Sequence, residues 1–460
     1  MAEIAPLTPL RYDLARLEGS GGLASVVAPP YDVIDAAQRA ELAARHPTNV
    51  VKLILPDGEG DAKYGHAADL LSAWRGEGDL VRDDVPAFYR YDQTFAAPGS
   101  APGGKTITRR GFLGLVKIVP LDQGIVLPHE RTLSGPKEDR LKLFRATRTN
   151  LSPGFMLYRD PERKLDAALE NASDLASFTT ADGIQHAVAK ITDPAAIRAI
   201  VEGVAKSSLL IADGHHRYET ALRYSQEAVE AAKSDTARSA APDGRGEHLY
   251  FMVFFANGDD PNLVVFPTHR HIHSLPSFDF NELGKNAADL FDVTPLPGGA
   301  SADVLTDALA KAGREAGPSL VACSGDGRAT LFTLKKDADL ASHPILGKRP
   351  APLRRTDVAL LHMGLLEPVL GITPEAQAAK TNIYYPQDGA MALRELRSGK
   401  GQVLFLMNAT PVAQVREVAE AGEVMPQKST FFHPKVLTGL CIHTLEPDRA
   451  VAGVSPSERL

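Results

Sequence analysis

The chain of 460 residues has little cysteine, no excess of positive charge and no long apolar runs. Its two cysteines, Cys323 and Cys441, lie far apart in apolar stretches, which predicts two buried thiols in a reducing compartment rather than a zinc site. No run approaches the roughly 20 apolar residues that a membrane span needs, and the N-terminal stretch lacks the apolar core of a signal peptide. We therefore expect a cytoplasmic protein with no membrane partner.

The charge balance argues against a general nucleic-acid binder. The formal net charge is −7 at pH 7, which opposes the positive field that such proteins present, although a local basic groove is left open. Hydrophobic content of 44% and charged content of 23% are ordinary for a globular protein. The length allows two or three domains, and the sequence leaves the oligomeric state open.

Strand-like and helix-like patterns alternate along most of the chain, which predicts an α/β fold of mixed type. The apolar run VVKLIL at 50–55 has the composition of a strand, and Asp35 is a natural N-cap for a helix over 36–45. The stretch LYFMVFFANGDDPNLVVFPTHR predicts a β-hairpin that turns at Asn257 and Gly258.

We expect three regions along the chain. We expect an N-terminal α/β region at 1–107, a central core at 108–231 and a C-terminal α/β region at 247–460. Small and charged residues at 232–246 predict an exposed loop between the last two regions.

The stretch SLLIADGHHRYETAL predicts a strand, a tight turn at Asp213 and Gly214, and a helix from His215. Such a turn brings polar groups to the carboxyl end of a strand and to a helix N-terminus, where α/β proteins bind anions. Arg217 suits phosphate, Asp213 can hold a magnesium ion on phosphate oxygens, and His215 and His216 can donate hydrogen bonds or relay protons. The plainer interpretation is a helix capped by Asp213, with surface histidines.

The motif ADGHHRYETAL resembles the DGHHR motif of free L-serine kinases in the ParB/sulfiredoxin-like superfamily, which transfer phosphate from ADP or ATP to free serine. The resemblance covers roughly residues 108–228, and a second motif that it predicts upstream is present as VLPHE. It implies a ParB/sulfiredoxin-like core, Glu130 as the base for the serine hydroxyl, Mg²⁺ with ATP or ADP as cofactors, and L-serine or phosphoserine as substrate. This chain is longer than the compact kinases, so the substrate is left open.

The wider chain also resembles a broad bacterial and archaeal family that carries only a domain-of-unknown-function label. The segments that resemble it are APPYDVID, HERTLSGPKEDRL, ADGHHRYETAL, FPTHR and MPQKSTFFHPK. This resemblance covers nearly the full length but implies little chemistry.

Other segments offer binding residues beside these motifs. Tyr31 and Asp32 follow two prolines, in either a rigid turn or a loop over the site. The predicted helix at 137–149 carries Arg140 and a basic stripe, which is one wall of a nucleotide groove, a solvated face or a wall that faces DNA. The stripe consists of Lys142, Arg145 and Arg148.

The C-terminal half adds two further candidates. The stretch FPTHRHIH would place His269, His271 and His273 on one strand face, as a metal site, a phosphate site with Arg270, or structure. The segment MPQKSTFFHPK is either a lid over substrate or structural packing. The full set of candidates is Glu130, Asp213, His215, His216 and Arg217 as catalytic residues, Tyr31, Asp32, His129, Arg131, Arg140, Gly214, Tyr218, His269, Arg270, Lys428, Ser429 and Thr430 as substrate- or nucleotide-binding residues, and Asp213 as the magnesium ligand.

Three functions follow from these patterns. The first is a small-molecule phosphotransferase, either a nucleotide-dependent free serine kinase or a phosphoserine-processing enzyme. The second is a nucleotide-binding regulatory protein of the ParB type, although the acidic charge and the lack of a recognisable helix-turn-helix argue against DNA. The third is a metal-dependent hydrolase that uses the histidines.

Overall fold

The computed structural model describes residues 1–100, 103–132, 134–234, 245–446 and 448–452, and it confirms the mixed α/β class. The chain divides into two compact units. The first unit comprises 1–127, 132–264 and 434–460, and the second comprises 128–131 and 265–433. Each unit has its own sheet and its own apolar core.

The first unit is built on a nine-stranded sheet in the order β6-β11-β8-β12-β5-β4-β10-β9, with β1 paired to β5. Only the β6–β11 and β8–β12 pairs of this sheet are parallel. The strands up to residue 257 are β1 Ile4–Ala5, β2 Leu10–Tyr12, β3 Leu80–Arg82, β4 Phe88–Ala96, β5 Thr106–Lys117, β6 Val126–Leu127, β7 Thr149–Asn150, β8 Gly154–Tyr158, β9 Ser173–Thr179, β10 Gln185–Ile191, β11 Leu209–Asp213 and β12 Tyr250–Asn257.

Helices of the first unit pack on this sheet through apolar faces. The helices are α1 Leu14–Leu17, α2 Leu23–Val26, α3 Ala36–Arg45, α4 Val51–Ile54, α5 Ala62–Gly76, α6 Ser134–Thr147, α7 Asp166–Glu170, α8 Pro194–Val204 and α9 His215–Ser234. Phe144 of α6, Ile200 of α8 and Tyr218 of α9 enter one core with Phe112 and Phe255 of the sheet. Every residue of β12 is buried, which explains why its sequence is apolar without alternation from Tyr250 to Ala256.

The second unit contains a six-stranded antiparallel sheet in the order β15-β17-β16-β19-β14-β18 and a separate β13–β20 pair. Its strands are β13 Val264–Phe266, β14 Arg270–Ile272, β15 Phe291–Leu296, β16 Ser319–Ser324, β17 Ala329–Leu334, β18 Ile383–Tyr384, β19 Val403–Met407 and β20 Phe431–His433. Its helices are α10 Phe280–Ala287, α11 Ala302–Glu315, α12 Ala351–Arg354, α13 Asp357–Leu361, α14 Pro374–Ala379, α15 Gly389–Arg397 and α16 Val412–Glu420. The last strand, β21 His443–Thr444, belongs to the first unit and pairs there with β7.

The units are organised differently from the three regions expected at 1–107, 108–231 and 247–460. The first two regions share one sheet, because β4 and β5 are neighbours in antiparallel register. The C-terminal region contributes β12 to that same sheet. Most of the loop expected at 232–246 lies outside the described residues, which omit 235–244.

Two predicted elements are wrong. Residues 51–54 form the helix α4 rather than a strand, because a short apolar run fits a buried helical turn equally well and Asn49 Oδ1 accepts from Val51 N at 2.9 Å. The hairpin at Asn257 is also absent, since β12 pairs with β5 and β8 while β13 pairs with β20.

Two other expectations, on a helix cap and on the cysteines, are confirmed by the described residues. Asp35 caps α3 by accepting from Gln38 N at 2.8 Å. Cys323 and Cys441 are buried free thiols. Of the helices in the described ranges, none has the length and apolarity that crossing a membrane requires.

Close packing around Gly111 in β5 predicts that replacing this glycine lowers the free energy of unfolding. A Cβ on Gly111 would lie 2.3 Å from the Phe255 carbonyl oxygen, so Gly111→Ala should cost about 3 kcal/mol through overpacking. Gly65 lies in α5 with open space around it, so Gly65→Ala should instead gain about 1 kcal/mol. Urea unfolding followed by the fluorescence of Trp74, the chain's single tryptophan, measures both. Equal midpoints for the two variants would contradict the packing described for β5.

Candidate functional site

The predicted strand, turn and helix are present around Asp213. This residue ends β11, Gly214 has a left-handed φ of +92°, and α9 begins at His215. A Cβ on Gly214 would lie 3.0 Å from Arg217 Nε, so the turn needs glycine both for its backbone and for the side chain that folds over it. The Asp-Gly pair after an apolar run was therefore sufficient to predict this strand, turn and helix.

The Asp213 carboxylate holds two cations. Its Oδ2 accepts from Arg217 Nη2, and its Oδ1 accepts from Lys435 Nζ at 2.7 Å. Arg217 is 5% exposed and also donates to the Pro153 carbonyl, which fixes the guanidinium. One carboxylate between two cations leaves an excess of positive charge beside the first turn of a 20-residue helix, which is a favourable place for an anion.

Tyr31 and Arg140 belong to the same neighbourhood in the first unit. The Arg140 guanidinium lies over the Tyr31 ring, 4.3 Å from its centroid, and donates to the Ile54 carbonyl at 2.6 Å. Burial raises the pKa of Tyr31, the Asp32 and Asp213 charges act in the same direction, and Arg217 and Arg140 oppose them. Asp32 itself is exposed, in the short helical turn Tyr31–Val33.

Three other residues of the motif have distinct surroundings. His215 is buried and His216 is half-buried in the first turn of α9. Tyr218 is fully buried in the core, where its hydroxyl donates to the Val119 carbonyl at 2.8 Å and accepts from Val119 N at 3.0 Å. We therefore assign Tyr218 to packing and leave it out of the site proposed below.

The basic stripe on α6 is engaged in ion pairs. Lys142 Nζ lies 2.7 Å from Asp61 Oδ1, and Arg145 Nη2 lies 2.8 Å from Glu227 Oε1. Arg148 follows the end of α6 with a φ of +48° and so does not continue the helical stripe. These contacts agree with the plainer interpretation of a solvated face.

The residues at this turn do not fit a resident magnesium ion. Both oxygens of Asp213 already accept from cations. Across the described ranges, no group of three or more His, Cys, Asp or Glu side chains is arranged to hold a metal ion, and this includes the histidines near 271. A metal at Asp213 would have to displace Lys435, and we route no chemical step through one.

The second unit builds a separate cluster around Glu130. Glu130 Oε1 accepts from the Ser429 backbone N at 3.0 Å, and Met425 N donates to the His129 carbonyl at 2.8 Å. His129 is fully buried, and its Nε2 lies 2.8 Å from Thr430 Oγ1. The structure thus brings together the Pro-His-Glu motif at 128–130 and the MPQKST segment at 425–430. These two segments lie near opposite ends of the second unit's sequence.

A buried arginine, Arg270, holds the backbone of the MPQKST segment in this cluster. Arg270 is 1% exposed and donates to the Lys428 carbonyl at 3.1 Å and to His362 Nε2 at 3.0 Å. Because an arginine can only donate, His362 carries its proton on Nδ1 and donates to Gln377 Oε1 at 2.6 Å. The exposed Lys428 is held in a left-handed conformation, with φ of +57°, a strained geometry that is common at functional sites.

Burial governs the charges in this cluster. It lowers the pKa of Arg270 to about 10, with Tyr385 and Glu130 acting in the opposite direction. Burial and the Arg270 charge lower the pKa of His362 to about 3, so the imidazole is neutral at pH 7. His362 is therefore uncharged at pH 7, and Arg270 is the charged member of this pair beside the Lys428 carbonyl.

The remaining candidates of the second unit divide between core and surface. His269 is buried, and its Nδ1 accepts from Met407 N at 3.1 Å, which makes it a structural residue of the sheet. Arg131 is exposed. His271 Nδ1 is bonded to the Tyr384 hydroxyl.

Sequence reasoning missed residues whose partners are remote in the chain. Lys435 lies within MPQKSTFFHPK, but nothing in that segment marks it as a binding residue, because its partner Asp213 is 222 positions away. His362 stands as one polar residue in the apolar run ALLHMGLL, which is a signal that could have identified it. No local pattern marks Tyr385, whose buried hydroxyl has no hydrogen-bond partner in the part of the chain that the structure describes.

Comparisons with known proteins give a family and distant structural likenesses. The family model described as "Protein of unknown function (DUF1015)" matches residues 4–359. A free serine kinase in complex with AMP is 13% identical with a TM-score of 0.37, over 72% of this chain and 91% of that chain. A conserved hypothetical protein from Pyrococcus furiosus is 13% identical with a TM-score of 0.35, over 72% and 94% of the two chains.

A third structure, SbnI from Staphylococcus aureus with a C-terminal truncation, is 11% identical with a TM-score of 0.37, over 74% of this chain and 91% of that chain. No curated protein matches the chain.

The neutral His362 predicts a specific acid sensitivity. Its pKa is about 3 in the folded chain and about 6.5 when unfolded, so between these values the unfolded state binds the extra proton and stability falls as pH falls. His362→Gln can still accept from Arg270 but does not titrate. Relative to pH 7, the wild type should lose about 2 kcal/mol more than this variant at pH 5.

Urea unfolding at pH 7 and pH 5, followed by circular dichroism, measures that difference. Replacing the exposed His66 by Gln is the matched control for a histidine-to-glutamine substitution at the surface. Identical pH dependence for His362→Gln and the wild type would show that this imidazole is not held neutral.

Proposed function

We propose that this chain, which belongs to the family described as a protein of unknown function, DUF1015, is a small-molecule phosphotransferase that binds a nucleotide phosphate at the Asp213–Gly214–His215 turn. The observation that carries the proposal is the pairing of Arg217 and Lys435 with one carboxylate at the N-terminus of α9. The sequence resemblance of ADGHHRYETAL to the free serine kinase motif supports the same assignment.

The ion cluster explains how the turn can receive an anion. Asp213 keeps Arg217 and Lys435 at the turn while no anion is present. A phosphate group that arrives can accept from Lys435 Nζ and from the backbone N–H groups that open α9, while Asp213 retains Arg217. Phosphoryl transfer depends mainly on positioning and on stabilising charge at the phosphate oxygens, and this arrangement provides both.

The sequence resemblance supplies the rest of the proposed reaction. Glu130 acts as the base and accepts the proton of the acceptor hydroxyl, with L-serine as the proposed acceptor. The hydroxyl oxygen forms a bond to the terminal phosphorus of ATP or ADP, the bond to the bridging oxygen breaks, and ADP or AMP leaves. Run in reverse, the same step removes phosphate from phosphoserine.

Phosphorus NMR tests this function. The protein is incubated with L-serine and ATP, ADP or pyrophosphate in turn, with and without magnesium, and separately with phosphoserine with and without ADP. A phosphoserine resonance that grows, or one that disappears, is the expected result. Glu130→Gln should reduce turnover by about 10²-fold or more while ADP binding survives, because general bases contribute 10²–10⁴.

Glu227→Gln is the matched control, since Glu227 only pairs with Arg145 and Arg223 on the surface. Full activity of Glu130→Gln would remove the base assignment. If ADP binds but no phosphorus signal changes, L-serine is not the acceptor, and the chain either uses a different acceptor or is the nucleotide-binding regulatory protein that the sequence offered as the alternative. If ADP does not bind, the phosphate site is wrong.

A further inference from the structure

Arg109 is a charged residue in the interior of the first unit that the proposed function has not used. It lies in β5, is 1% exposed, and its guanidinium carbon is 4.8 Å from the Phe155 ring and 5.3 Å from the Phe254 ring. Its Nη2 donates to Gln93 Oε1 and, at 2.6 Å, to the Pro434 carbonyl. A guanidinium between two aromatic rings is not a residue that packing alone requires.

These hydrogen bonds hold the backbone of Lys435 from both sides. Arg109 binds the Pro434 carbonyl, which precedes the Lys435 amide, and Gln93 Nε2 donates to the Lys435 carbonyl at 3.0 Å. Arg109 and Gln93 are bonded to each other, so the two side chains act together. From this fixed backbone the Lys435 ammonium reaches Asp213 Oδ1 at 2.7 Å.

Two nitrogen atoms of the Arg109 guanidinium have no hydrogen-bond partner in the described part of the chain. Nε and Nη1 are buried and donate to no hydrogen-bond acceptor within the described ranges, and no carboxylate among those residues lies within ion-pair distance. Burial lowers the pKa of Arg109 to about 10, and the charges of Tyr91 and Asp213 act in the opposite direction. The Arg109 charge therefore acts on the turn at Asp213 without being neutralised nearby.

We infer that Arg109 is a positioning residue that holds Lys435 at the turn and, with it, makes the site selective for a doubly charged phosphate group. Arg109, Arg217 and Lys435 contribute three positive charges and Asp213 one negative charge, so these four side chains sum to +2, and Asp32 beside Tyr31 adds one further negative charge. This inference rests on the proposed function, because it concerns the same site. Inorganic phosphate, the terminal phosphate of ADP and O-phosphoserine share the required chemistry.

Arg109→Met tests the inference in the full-length chain. Methionine fits between the two rings and removes the buried charge, but it leaves Gln93 Oε1 and the Pro434 carbonyl without their donor, so the midpoint of urea unfolding is measured first to show that the variant is folded. The affinities for inorganic phosphate, ADP and O-phosphoserine, measured by calorimetry, should each fall by about tenfold or more, and the weakening of binding by added NaCl should become less steep. Arg110→Met is the matched control, because Arg110 is the next residue of β5 and pairs with Asp92.

A second measurement does not depend on any ligand. Acetic anhydride labelling mapped by mass spectrometry reports the reactivity of Lys435, whose side chain is 16% exposed in its pair with Asp213. Lys435 should react several-fold faster in Arg109→Met than in the wild type, with the exposed Lys336 as the internal reference. Gln93→Met should increase the labelling while reducing ligand affinity less, because it leaves the Arg109 charge in place.

The outcomes separate the inference from the function on which it rests. Unchanged labelling of Lys435 in both Arg109→Met and Gln93→Met would overturn the positioning role. Wild-type affinities that survive Arg109→Met would overturn the selectivity for a doubly charged group. A wild type that binds none of the three ligands would overturn the proposed function and the ligand class together, while the labelling still decides whether Arg109 positions Lys435.

Discussion

The site depends on one ion cluster, in which the Asp213 carboxylate holds Arg217 and Lys435 together. Two cations at this spacing would repel each other without the carboxylate, and the carboxylate would be costly at the end of a buried strand without them. The position of β11 between β6 and β8 fixes where Asp213 emerges, and Gly214 permits the turn that starts α9 directly afterwards. The ion pairs, the strand order and the turn conformation therefore all fix the position of Asp213.

The segment MPQKSTFFHPK is held by a buried arginine in each unit. In the second unit Arg270 donates to the Lys428 carbonyl, and in the first unit Arg109 donates to the Pro434 carbonyl. Both guanidiniums are almost completely buried and use backbone carbonyls rather than carboxylates as their main partners. These hydrogen bonds fix the segment's backbone without neutralising either guanidinium with a carboxylate. The remaining positive charge favours contact between this segment and an anion.

The sequence predicted local features well and remote partners poorly. The turn at Asp213 and the cap at Asp35 were found because every cue lies within a few residues of the feature. The hairpin at Asn257 was wrong because strand pairing is decided by the whole sheet, and α4 was wrong because four apolar residues do not distinguish a strand from a helical turn. Arg109 was not found because nothing nearby in sequence shows that an arginine in a strand will be buried beside Lys435.

A crystal structure of the chain with ADP tests the central claim most directly, since that claim concerns where a phosphate group binds. The account predicts that the terminal phosphate lies about 3 Å from Lys435 Nζ and from the backbone N–H groups that open α9. Lys435 would then have moved from Asp213 to the phosphate, while Arg217 stays with Asp213. ADP bound with its phosphates elsewhere, or with the Lys435–Asp213 pair undisturbed, would contradict the account.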